Sequence, residues 1–94
     1  MLPPRIVLHS PVMDRSALEA FVEQCLRDAV RLIAIVGDGA ETLEEEVDWL
    51  VIGEGADKSR FVVTSSHPNE SIEEVMEFAS GWRCERDGLL EVRL

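Results

Sequence analysis

Short apolar runs alternate with capped, helix-periodic stretches from one end of this chain to the other, and few folds accommodate that alternation. R-I-V-L-H at 5–9, R-L-I-A-I-V at 31–36 and R-F-V-V-T at 60–64 are continuous and rich in β-branched residues, as strands buried on both faces are. Each is followed by the S/T-x-x-E spacing of a capping box: S-A-L-E at 16–19, T-L-E-E at 42–45 and S-I-E-E at 71–74. Behind the first box, Leu18, Phe21, Val22, Cys25, Leu26 and Ala29 fall on one helical stripe. Leu43, Val47, Leu50 and Val51 do so in the second helix, and Ile72, Val75, Met76 and Ala79 in the third. Gly53, Glu54 and Gly55 suit a helix stop, 57–59 a returning loop, and Gly81 a position just past the third helix. Between the third run and its helix, 64–69 reads as a polar turn in which Pro68 biases His67 away from the helical region.

The tail is less one-sided. Residues 89–94 alternate well enough for a last strand. Asp87-Gly88 also offers a hairpin with 82–86, in which a three-residue loop opposes Cys84 to Val92 and Trp82 to Leu94. With the single last strand, the order β-α-β-α-β-α-β predicts one three-layer α-β-α domain over 1–94. Its sheet is expected to be mostly parallel, with right-handed crossovers and strand order 2-1-3-4, a truncated doubly wound, flavodoxin- or Rossmann-like fold. The segments V-D-W-L-V-I-G-E-G at 47–55 and V-V-T-S-S-H-P-N-E-S-I-E-E-V at 62–75 resemble a family of small uncharacterised bacterial α/β domains. That resemblance implies a compact bacterial α/β domain and transfers no site, substrate or partner.

Charge narrows the partners. The 94 residues carry a formal net charge of −10, so nucleic acid and anionic membrane surfaces are not expected partners, because both require Lys/Arg patches. No apolar run is long enough to span a bilayer, and 1–5 lacks the apolar stretch of a secretory signal. A reduced, cytoplasmic setting is expected. There Cys25 belongs to the core stripe, and Cys84, beside Arg83 and Arg86, has no identifiable base.

Ligands of open α/β sheets bind beyond the carboxyl ends of the strands, where strand order reverses. Under order 2-1-3-4 that place lies between the first and third strands. His9 and Ser10 end the first strand, Asp38 follows the second, and Thr64, Ser65, Ser66 and His67 end the third. These are the candidate ligand residues, suited to a small anion near the helix starts at Ser16 and Ser71, or to a metal held by two imidazoles and a carboxylate. The histidine and cysteine spacings carry no metal motif, so no metal and no cofactor is expected. Gly37-Asp38-Gly39 with Thr42 is not the dinucleotide fingerprint, and there is no P-loop. Positions where a receiver domain needs acids hold His9, Ser10, Thr64 and Ser65. Ser65 or Ser66 beside His67 is not read as a triad, because sequence neighbours rarely face one another and G-x-S-x-G is absent.

A non-catalytic protein-binding or regulatory module is therefore the leading expectation, and an enzyme acting on a small ligand at the strand ends the alternative. Glu44, Glu45, Asp48 and Trp49 of the second helix, with Glu73 and Glu77 of the third, are the candidate contacts for a basic protein. Trp49 does not lie cleanly on the apolar stripe, and the two helices are expected to share one face of the sheet or its flank. Residues 89–94, as an apolar edge strand, make a homodimer a candidate assembly alongside the monomer.

Overall fold

Every strand of the sheet pairs in parallel with its neighbours. The computed structural model describes residues 1–53 and 61–94. Its elements are β1 (Arg5–Ser10), α1 (Arg15–Arg27), β2 (Leu32–Gly37), α2 (Ala40–Ile52), β3 (Val63–His67), α3 (Ile72–Gly81) and β4 (Leu89–Val92). The four strands lie in the order β3-β2-β1-β4, which corrects the expected 2-1-3-4. Side-chain chemistry accounts for the difference. β1 and β2 are buried through almost their whole length, as central strands must be, whereas Val63-Thr64-Ser65-Ser66-His67 is too polar to be covered on both faces. β3 therefore takes an edge, and β4 closes on the other side of β1.

This order also distributes the helices. The steps β1 to β2 and β2 to β3 run the same way across the sheet, so right-handed crossovers put α1 and α2 on one face. The return from β3 to β4 runs the opposite way and puts α3 on the other. Two apolar layers result. Ile6, Leu8, Ile33 and Ile35 pack under Leu18, Val22, Cys25, Leu43 and Val47, while Val7, Leu32, Ala34 and Val36 pack under Val75 and Ala79. The expectation that α2 and α3 share a face is thereby overturned.

Local boundaries follow the sequence with instructive departures. Ser71 and Glu74 form the predicted capping box of α3. Asp14, not Ser16, caps α1, its side chain accepting from the Ala17 N–H. α2 has no side-chain cap: it begins at Gly39, held left-handed at φ 74° in the tight turn after β2. β3 starts later than expected and continues through His67, so most of the anticipated turn is strand. Its register with β2 runs from Leu32↔Val63 to Val36↔His67. At the C-terminus, residues 82–88 form a loop and β4 pairs with β1, so the single last strand is observed and the hairpin is not. Gly53 is the C-cap of α2; Glu54, Gly55, the 57–59 loop and the start of the run at 60 lie outside the described residues.

Candidate functional site

With β1 between β2 and β4, the strand order reverses between β1 and β4, not between β1 and β3. The candidate ligand residues consequently divide into separate groups. At the reversal, His9 Nε2 meets Glu91 Oε2 of β4 at 2.5 Å, and Arg93 reaches the same carboxylate at 3.1 Å. Toward α2, Ser10 Oγ donates to the Asp38 carbonyl at 2.5 Å. The hollow beside them, about 200 Å³, is lined by Ser10, Asp38, Thr42 and Glu46, and Glu46 is already paired with Arg15.

β3 carries the remaining candidates on alternate sides. Thr64 turns toward α2, where its Oγ1 lies 2.6 Å from Asp48 and 3.0 Å from Glu44. Ser66 shares that side by alternation. Ser65 and His67 turn toward α3. His9 and His67 occupy one row of the sheet with Val36 between them, two strand spacings or about 10 Å apart. The structure does not bring the two imidazoles together. Among the described residues, no group of three or more His, Cys, Asp or Glu side chains is placed to hold a metal ion.

The most developed polar cluster lies where sequence neighbours are not expected to face one another. Ser65 Oγ lies 2.8 Å from His67 Nε2, and Glu70 Oε1 lies 2.9 Å from His67 Nδ1. The reason is strand geometry: residues two apart in β3 project to the same side, so Ser65 and His67 meet although they are neighbours in sequence. The turn at Pro68 and Asn69 then returns Glu70 to the other ring nitrogen. His67 is 7% exposed, and the Phe78 ring of α3 covers it at a centroid distance of 4.8 Å. Glu70 and Phe78 were not among the candidate residues. The S-x-H spacing in a strand, followed by an acid just past a proline turn, was the available signal.

Phe78 and Glu70 also line a groove of about 560 Å³ along α3, together with Glu74, Glu77, Gly81 and Trp82. Phe78 remains 41% exposed. Among the described residues, no lysine or arginine pairs with these three carboxylates. The Glu74 carboxyl is held below the usual range, chiefly by the Ser71 backbone N–H that donates to it. It therefore stays ionised at neutral pH.

The acidic contacts expected on the two helices separate as well. Glu44 and Asp48 are turned inward onto Thr64, while Glu45 and Trp49 are exposed on α2, Trp49 at 71%. Glu73 and Glu77 are exposed on α3, across the sheet from them. No helix among the described residues is long and apolar enough to cross a membrane.

The chain belongs to a family known as a domain of unknown function, DUF7684, whose model matches residues 4–90. No match is found among curated proteins or among solved structures.

Proposed function

We propose that this domain is a protein-binding or regulatory module whose contact surface is the groove of α3, and that its partner presents a basic segment. The observation that carries this reading is the pairing of three carboxylates, Glu70, Glu74 and Glu77, with the partly open aromatic faces of Phe78 and Trp82 in one groove. A lysine or arginine side chain entering it gains charge attraction from the rim and cation–π contact from the rings. The net charge of −10 extends the attraction beyond the groove and favours fast encounter with a basic protein.

The test is a fluorescence-anisotropy titration with a labelled Lys/Arg-rich peptide, on wild type, Glu77→Gln and Phe78→Ala. Each variant is expected to weaken binding about tenfold, roughly 1.4 kcal/mol. Binding is also expected to fade as salt rises from 0.1 M to 1 M, where the screening length falls from about 10 Å to about 3 Å. Binding equal in all three proteins and indifferent to salt sinks the proposal.

A second reading is self-association through β4. This strand is an edge, and Leu90 and Leu94 are 41% and 37% exposed on and just after it. Antiparallel pairing of two copies about a two-fold axis satisfies the open edge and covers both leucines. Light scattering at high protein concentration decides: a dimer mass that reverts in Leu90→Lys is expected, and a monomer mass removes the reading.

A further inference from the structure

We infer that Ser65 is a nucleophile for acyl transfer, activated by His67 and aligned through Glu70, and that it acts on carboxylic esters bearing a positive charge. The Glu70 carboxylate can only accept, so the proton of the neutral imidazole resides on Nδ1, 2.9 Å away. Nε2 is left as a lone-pair acceptor for the Ser65 hydroxyl at 2.8 Å. A base thus stands between a hydroxyl and an orienting acid, in the order that nucleophilic catalysis by serine requires. Burial of His67 under Phe78 holds the ring in that pose, while Ser65 is only half-buried on an edge strand.

The reaction balances with water as the co-reactant. Ser65 Oγ bonds to the acyl carbon as its proton passes to His67 Nε2. The bond from that carbon to the alcohol oxygen breaks, and the departing oxygen takes the proton from Nε2. Water then gives a proton to Nε2 and its oxygen to the acyl carbon. The acid leaves as Ser65 Oγ recovers the proton. Nothing is oxidised or reduced. Glu70 is a positioning residue throughout, touching the imidazole and not the substrate.

The nucleophile rests on the Ser65–His67–Glu70 geometry alone. The preference for a charged ester rests on the groove reading above, since Glu74, Glu77, Phe78 and Trp82 are what would hold the cation. Two arms separate these claims. In the first, the full chain is treated with an uncharged alkyl fluorophosphonate and read by intact mass and peptide mapping. One adduct on Ser65 is expected, absent in Ser65→Ala and formed at least tenfold more slowly in Glu70→Gln, with both variants folded by circular dichroism. No adduct on wild type, an adduct elsewhere, or equal rates in Glu70→Gln overturns the relay. If Glu70→Gln does not fold, the pH profile of wild-type labelling replaces it: a rate rising in one step as the imidazole loses its proton is expected, and a flat profile overturns the relay. In the second arm, an ester carrying a quaternary ammonium group is compared with its neutral isostere. A tenfold or greater advantage in kcat/KM, reduced by Glu77→Gln, is expected. Equal turnover overturns the charge preference, and the first arm still reads the relay by itself.

Discussion

Ala29 holds a left-handed backbone, φ 56°, immediately after the cap of α1. The Val30 N–H donates to the Cys25 carbonyl at 2.9 Å and the Ala29 N–H to the Leu26 carbonyl at 3.4 Å, the two bonds of a Schellman ending. Val30, 1% exposed, adds the apolar contact that such endings carry. An L side chain pays about 1–2 kcal/mol in this conformation, and glycine does not. Ala29→Gly is therefore expected to stabilise the domain by roughly 1 kcal/mol, raising the thermal midpoint by about 5 °C. A lowered midpoint in a melt of the two proteins contradicts this account. Helical periodicity runs the α1 stripe on to Ala29, because period alone does not reveal where the chain reverses hand. The same periodicity places Cys25 correctly: the residue is fully buried, and burial, aided by the charge of Asp28, pushes its thiol up to about 12. Such a thiol is inert packing.

Among the elements, β4 owes its place to a residue on another strand. Arg5 of β1, 9% exposed, donates from Nε to the Trp82 carbonyl at 2.7 Å and from one terminal nitrogen to the Arg86 and Gly88 carbonyls at 3.1 and 3.3 Å. Arg86 in turn donates to the carbonyls of Asp28 and Ala29. The 82–88 loop thus delivers the chain from α3 to the far side of β1. Arg5→Met keeps the apolar stem and leaves three carbonyls without their donor, at a cost of about 2–4 kcal/mol. The effect is expected as a lower urea midpoint with early loss of amide protection in β4. Unchanged protection there sinks this role for Arg5. β2 and α2 are joined by an equally strict turn. Gly37, at φ +108°, would bring a Cβ within 2.5 Å of the Ser10 carbonyl oxygen, so no larger residue fits without moving β1. The apolar run and the glycines around Asp38 announced this turn. The side-chain cap predicted at Thr42 yielded to it, because the helix begins earlier on the backbone of Gly39.

For the molecule as a whole, acid is the informative variable. Asp28, Glu74 and Glu85 are all held below their ordinary carboxyl values. The principal causes are backbone N–H donors: Leu2 for Asp28, Ser71 for Glu74 and the residue's own N–H for Glu85. A carboxyl depressed by folding contributes stability above its unfolded pKa, about 4, and loses it as pH falls through the folded value. Relief of repulsion among excess acids acts in the opposite direction, so the contribution of one group is best read as a difference. The gap in thermal midpoint between wild type and Asp28→Asn is expected to be widest at neutral pH and to close below about pH 4. A gap independent of pH removes the link between the Leu2 N–H and the Asp28 charge.

The alternation of apolar runs and capped helices by itself determined the element order, the α/β class, the burial of β1 and β2 and the capping box of α3. These are local matters of propensity and period. Only the tertiary structure decided the strand order, and with it the faces of α2 and α3, the separation of His9 from His67 and the strand reversal beside Glu91. Those follow from competition among strands for the centre of the sheet, which the polar side of β3 loses and no single segment can report. The meeting of Ser65, His67, Glu70 and Phe78 is of the same kind. It needed β3 to continue past Thr64 by pairing with β2, and α3 to return over the opposite face, before the four side chains had any reason to touch.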